Sequence, residues 1–237
     1  MGKGKFGHAL EFKKGNIVTI PLGKRAMRNK ASVIMWLQFT DLGGQQNYFS
    51  VWDQNSNRLM PYKKEGGNML RCWSNKWNVI SGVSAKKNEW YHIANVYDGK
   101  KASIDINGKE KVVQDMPKFE LFDPPQTAWL ATDKGTGFLS SCVIDEFIFF
   151  SRAVTAKEVG EIFKKGIDGA LSVDGTGKYW EVADRLGRFK KAMSHRELPL
   201  EPLEEFDCKG FVAPNDLFVI NLVEAIATAA KPLQRSH

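Results

Sequence analysis

This chain has few cysteines, no long apolar run and none of the motifs that mark the common metal and phosphate sites. Three cysteines (Cys72, Cys142, Cys208) are too few for a disulfide framework, and the odd count leaves at least one unpaired within a monomer. There is no CxxC and no Cys/His pair at zinc spacing, which sets a structural zinc aside. No stretch approaches ~18 apolar residues, so no membrane-spanning helix is expected. The opening Met1-Gly-Lys-Gly-Lys5 leads almost directly into a strand without an apolar h-region, so no signal peptide is expected. A cytosolic protein, an excised or mature fragment, and a shortened reading frame all fit such a start. No glycine-rich phosphate loop is present. Nucleic acid is not an expected partner, and no cofactor or metal is expected.

What is present is a globular composition, 43% hydrophobic and 11% aromatic, with a formal charge of +7. The charge is unevenly placed. Residues 1–30 carry eight basic residues, Lys3, Lys5, Lys13, Lys14, Lys24, Arg25, Arg28 and Lys30, against Glu11 alone, which is the entire surplus. Residues 197–207 reverse it, with Glu197, Glu201, Glu204, Glu205 and Asp207 and no basic residue. Either both runs are solvated surface, or the basic end meets an acidic partner or the acidic run itself.

Short strand patterns recur at intervals of about ten residues, as in an antiparallel β-sandwich. The clearest is Trp90 to Tyr97, rich in aromatic and β-branched residues. Asp98-Gly99 turns it into Ala102 to Ile106, and Asn107-Gly108 turns that into Glu110 to Gln114. Asn-Gly between alternating runs signals a hairpin, because a type I′ turn needs positive φ at both central residues. Further strands are expected at 9–12, 16–20, 32–40, 47–52, 68–73, 77–81, 127–131 and 142–150. Residues 53–57 form a polar loop. Thr155 with Glu158 fits a capping box for a helix from Ala156 to Lys165, ended by Gly166.

Gly7-His-Ala-Leu-Glu-Phe12, Glu89-Trp-Tyr-His-Ile-Ala94 with Tyr97-Asp-Gly99, Ile104-Asp-Ile-Asn-Gly108, and Ile144-Asp-Glu-Phe147 with Ser151-Arg-Ala153 and Thr155-Ala-Lys-Glu-Val159 occur in that order. Together they resemble the laminin-G-like jelly roll of the concanavalin A-like lectin/glucanase superfamily over residues 5–165. The resemblance implies an all-β, two-sheet antiparallel jelly-roll sandwich whose first strand lies beside its last. It also implies a ligand-binding or adhesion module of extracellular or cell-surface origin. Such modules often open with Phe-Asp-Gly, whose Asp helps hold a calcium together with an Asp matching Asp145. Here the opening reads Phe12-Lys-Lys14, so no calcium is expected; either Lys13 or Lys14 is nearest the Asp145 carboxylate, or the strand is simply closed by backbone bonds. The short segment that usually precedes the first strand is missing, which fits a chain shortened at its start.

The sandwich is expected over residues 1–168, followed by a partly helical C-terminal extension over 169–237. That extension contains a helix over 180–193, the acidic Pro-containing linker and a last helix from Leu217 to Ala230. Enzymes of the superfamily place two catalytic Glu in Glu-x-Asp-x-x-Glu spacing, so that alternate side chains share a cleft. No such run occurs. Asp145 and Glu146 are neighbours, which excludes them as a facing acid/base pair on one strand, and His92 has no nucleophile-elbow serine. The chain reads as a non-enzyme. The stronger signal is Trp52, Asp53, Asn55, Asn57 and Arg58 together with Arg71, Trp73 and Trp77. Sugar ring faces stack on indoles, while amides, carboxylates and guanidinium groups bond the hydroxyls. A non-catalytic module for carbohydrate, including acidic glycan, or for an extracellular protein follows. The alternative is an assembly protein that makes subunit contacts through its C-terminal helices and basic start.

Overall fold

The computed structural model describes residues 2–23, 30–74, 77–116, 126–150, 152–173 and 217–219. Two antiparallel sheets face each other. The first, of eight strands, runs β1 (Gly2–Lys3), β2 (His8–Phe12), β14 (Cys142–Phe150), β4 (Ala31–Phe39), β10 (Trp90–Tyr97), β11 (Lys101–Ile106) and β12 (Lys109–Asp115), with β15 (Leu217–Val219) also on β14. The second, of seven, runs β3 (Val18–Gly23), β13 (Gln126–Leu130), β6 (Phe49–Asp53), β7 (Arg58–Lys63), β8 (Met69–Ser74) and β9 (Trp77–Ser84), and β5 (Gln46–Asn47) pairs with β7.

The period-2 rule assigns each strand's faces. Val33, Met35, Leu37 and Phe39 of β4 point inward and are buried with Phe49, Val51, Leu59, Leu70, Val79 and Leu130 of the other sheet. The alternate β4 residues Ile34 and Trp36 are also buried, because the outer face of the eight-stranded sheet is covered by helix α1 (Ala156–Lys165). Val159 and Ile162 of α1 pack there on Ile34, Ala94, Ile148 and Phe150. Fully burying such aliphatic side chains contributes ~1.5–3 kcal/mol each, which holds a ten-residue helix too short to stand alone. The capping box forms as expected from Thr155 and Glu158, and Arg152 bonds the Glu158 carboxylate at 2.8 Å. A shorter helix, α2 (Ile167–Val173), follows Gly166.

The meander is as expected. Ile93 lies opposite Ile106, and Ile104 opposite Val112. Asn107 and Gly108 have φ of 53° and 72°, the positive pair that the hairpin requires. A Cβ on Gly108 would lie 2.9 Å from the Phe163 ring of α1, so glycine there also admits the helix. Cys72 and Cys142 are buried and not disulfide-bonded, as small hydrophobes in strands.

Three expectations are corrected. No strand is among those expected over 58–63, yet β7 lies there inside its sheet and contains Pro61. β6 pairs with Leu59 and Arg58, while β5 pairs with Lys63 and Tyr62, and Pro61 falls at the break between the two partners. The missing N–H costs no ladder bond there. Second, Leu217–Val219 is a strand against Ile148–Phe150, not the first turn of a helix; the rest of that helix, the one over 180–193 and the acidic linker lie outside the described residues.

Third, β2 does lie beside β14, but its register keeps the lysines away from Asp145. Phe12 is opposite Cys142 and Leu10 opposite Ile144, so Lys13 and Lys14 lie beyond the other end of the pairing. Lys14 pairs instead with Asp41 at 3.6 Å. Asp145, 3% exposed, accepts the backbone N–H of Phe6 at 2.9 Å and that of Glu146 at 2.9 Å. Glu146, at φ 52°, accepts the N–H of Ile167. The acid pair ties the opening segment and the α1–α2 junction to the sheet.

Candidate functional site

The outer face of the seven-stranded sheet has no helix over it among the described residues. The residues between the core positions of β6, β7, β8 and β9 present Trp52, Arg58, Met60, Tyr62, Arg71, Trp73 and Ile80 on that side. Pairing brings the sequence-distant ones together. Trp52 is opposite Arg58, Met60 opposite Trp73, and Tyr62 opposite Arg71.

Arg58 is the centre of this face. Its guanidinium carbon lies 4.5 Å from the Trp52 ring centroid and 4.3 Å from that of Trp73, so the planar cation is held between two indoles. Each such contact is worth ~0.5–1 kcal/mol at an exposed site, and more when desolvated. Apart from these ring contacts, the Arg58 donors have no protein acceptor among the described residues, and its Nε is buried and unpaired. The Arg71 Nε is in the same condition. Tyr62, the partner of Arg71, lies four positions along β7 from Arg58, which offsets the backbones of the two arginines by ~13 Å along the strand direction.

Two further residues come from the loop after β13, which the sequence reading passed over. The Trp52 indole N–H donates to Asp133 Oδ1 at 2.7 Å, and the Lys134 ammonium lies 4.7 Å from the Trp52 ring. Burial raises the Asp133 pKa, against the lowering effects of the Trp52 bond and the Arg58 and Lys134 charges. Ser50 anchors the loop by donating to the Thr132 carbonyl at 2.8 Å. The signal was there in Thr132-Asp-Lys-Gly-Thr-Gly137, turn chemistry directly after a strand.

The remaining expected site residues separate. Asp53 is spent on its own hairpin: Oδ1 accepts the N–H of Asn55 and of Asn57, and Oδ2 accepts the Asn57 amide at 2.9 Å. Asn55 is exposed at the tip of that turn. Trp77 is corrected outright. It is 6% exposed in the core, its ring 5.1 Å from that of Tyr97, and it faces the opposite side of the sheet from Trp73. Trp52 and Trp73 are half-buried with faces covered by Arg58, so the face offers a clamped cation flanked by indoles more than bare ring surface.

His92 is fully buried. It lies on the outer face of the other sheet between Trp36, at 5.3 Å, and Phe163 of α1, at 5.4 Å. Both ring nitrogens are buried and unpaired, and burial pulls its pKa down to about 3. The buried Cys72 thiol is pushed up to about 12, chiefly by burial, which removes it as a nucleophile. Among the described residues no group of three or more His, Cys, Asp or Glu could hold a metal ion.

A family model described as the concanavalin A-like lectin/glucanases superfamily matches residues 12–160. The chain belongs to that superfamily. Among curated proteins none matches. Similar solved structures include domain 4 of AbnA, an extracellular arabinanase from Geobacillus stearothermophilus, in complex with arabinotriose: TM-score 0.57, 19% identity, covering 68% of this chain and 79% of that one. A heptameric SAP-like pentraxin from Limulus polyphemus has a TM-score of 0.54 at 15% identity, covering 65% and 80%. The Ruminococcus gnavus sialidase CBM40, bound to α2,3 sialyllactose, has 0.51 at 12%, covering 65% and 96%. At these identities the likeness is one of fold. No helix among the described residues is long and apolar enough to cross a membrane.

Proposed function

We propose that this superfamily member is a non-catalytic binding module that takes an acidic glycan on the outer face of its seven-stranded sheet. The observation that carries the reading is the Arg58 guanidinium, immobilised between Trp52 and Trp73 with its donors unspent. A fixed planar fork suits a carboxylate or sulfate, because bidentate charge-assisted bonds are the strong ones and the ordering entropy is already met. Arg71 and Lys134 extend the positive field along the face. Trp73 and the edge of Trp52 supply apolar surface for a sugar ring, and Asn55 borders the site. Two of the similar folds were solved with an oligosaccharide, which agrees with the reading without locating the ligand here. An extracellular or cell-surface setting is part of this proposal. The assembly alternative has less support, since Leu217–Val219 pairs with its own sheet.

Calorimetric titration with a sialylated or sulfated oligosaccharide and its neutral parent tests it. The acidic ligand should bind more tightly, and the preference should shrink as the Debye length falls from ~10 Å at 0.1 M salt to ~3 Å at 1 M. Arg58→Gln should remove the preference while leaving the melting temperature nearly unchanged. Equal binding of both ligands, or an unaffected Arg58→Gln protein, would refute the assignment.

A further inference from the structure

On the other sheet, at the N-terminal end of α1, a groove of about 170 Å³ opens between the helix and strands β10 to β12. This is far more than the ~10–15 Å³ that one water occupies. Its floor carries Asp105, Ser103 and Glu110, and its walls are Val96, Val113 and Val159. Asp105 stands opposite Glu110, where the β11–β12 register shifts. It is only 4% exposed as a residue; no hydrogen bond or ion pair holds its carboxylate among the described residues, and its oxygens are not fully enclosed but meet the groove. A carboxylate desolvated to that extent without a hydrogen-bond donor is costly to keep charged.

The neighbouring charges do not neutralise it. Asp98 and Lys101 also line the groove; the Lys101 ammonium makes an exposed pair with Asp115 at 3.8 Å, and Asp98 Oδ1 accepts the N–H groups of Lys100 and Lys101. The α1 side contributes only Ala153, Val154, Ala156 and Val159, and the open N–H groups of the helix start are answered by its capping box. The groove therefore joins the Asp105 and Glu110 carboxylates, with Asp98 and Lys101 also in its lining, to apolar walls. A hard divalent cation is a poor fit, since it needs six to eight oxygens and the described residues offer no cluster of three ligating groups.

We propose that this groove binds a primary ammonium on an aliphatic stem, its charge between Asp105 and Glu110 and its methylenes against Val96, Val113 and Val159. The source is either a free alkylamine or a lysine side chain presented by a partner. The site lies on the opposite sheet from the glycan face and does not depend on it. Burial, with a smaller contribution from Glu110, raises the Asp105 pKa to about 6, so the free groove loses charge in mild acid.

Titration of the full chain with cadaverine, 1-pentanol and Nα-acetyl-lysine methylamide, followed by NMR shifts, is the test. Cadaverine should bind saturably at pH 7.5, 1-pentanol should not, and affinity should drop about tenfold in Asp105→Asn and in Glu110→Gln. Cadaverine affinity should also weaken at pH 5. Saturation by acetyl-lysine methylamide as well would assign a lysine side chain; saturation by cadaverine alone would assign a free amine. Glu110 is exposed, so its variant folds whatever Asp105→Asn does. Equal binding of pentanol, no saturation by cadaverine, or a Glu110→Gln protein that binds as tightly as the parent would overturn the proposal.

Discussion

His92 makes the stability of this fold depend on pH in a way that one substitution should isolate. The ring is 0% exposed between Trp36 and Phe163, with neither nitrogen paired, so the fold accepts it only as the neutral imidazole. Its folded pKa is about 3, whereas an unfolded histidine titrates near ~6.5. Below ~6.5 the unfolded chain therefore takes up a proton that the folded chain refuses. Stability from this group is complete above that pH and is lost as pH falls towards 3. At ~1.36 kcal/mol per unit, the loss is ~2 kcal/mol at pH 5 and approaches ~5 kcal/mol near pH 3. That is a large fraction of the ~5–15 kcal/mol stability of an ordinary domain.

The assay is urea unfolding of the parent and His92→Leu at pH 7, 6, 5 and 4. Carboxylates and other histidines contribute equally to both proteins, so the difference in unfolding free energy between them isolates His92. Whatever the substitution costs or gains in packing at pH 7 also drops out of the slope. The difference should move in favour of His92→Leu by ~2 kcal/mol between pH 7 and pH 5. Parallel profiles would show that protonated His92 finds a partner, or that α1 lifts away to let water in, and the reasoning would fail.

The other predictions concern buried polar anchors and the two tryptophans. The Lys63 ammonium is 0% exposed and donates to the carbonyls of Leu42 and Gly44 and to Asn68 Oδ1, at 2.7, 2.5 and 3.3 Å. Lys63→Met should therefore cost ~3–5 kcal/mol in chemical denaturation by orphaning those oxygens, and a cost under ~1 kcal/mol would refute the anchoring role. Trp77→Ala should cost the ~3–5 kcal/mol of an emptied core site, while Trp73→Ala should cost clearly less and weaken acidic-glycan binding; the reverse order would invert the inside–outside assignment. Calcium should not raise the melting temperature, because both Asp145 oxygens are occupied by backbone N–H groups. Asp145→Ala should lower it by releasing the opening segment.

The fold was legible because its signals are local. Trp90–Tyr97, the Asn107-Gly108 turn, Cys142–Phe150 and the Thr155–Glu158 cap each combine residues a few positions apart, and each appears at those bounds. Strand β7 was not legible because its permission is non-local. Pro61 is tolerated only where β5 hands over to β6, and no window around Pro61 contains that information. Of the two outcomes expected at Asp145, the lysine contact failed for a related reason, and backbone N–H groups meet the carboxylate instead. Adjacency of first and last strands was right, but adjacency does not fix register, and a shift of a few residues moved Lys14 to Asp41.

The site was half legible for the same physical reason. The notable residue types were visible, but a strand shows its two faces only once its phase is known. Trp73 and Trp77 lie four residues apart, which along one straight strand would put them on the same face. They flank a reversal instead, so each takes its side from its own strand: Trp73 sits outside beside Arg58, Trp77 inside against Tyr97. Asp133 and Lys134 could not be grouped with Trp52 at a separation of some eighty residues until β13 was paired with β6. Composition thus identified the chemistry available to the sheet, while pairing decided which of it could act together. That is why Arg58, whose two indoles come from strands on either side of its own, is the residue on which the binding assignment stands or falls.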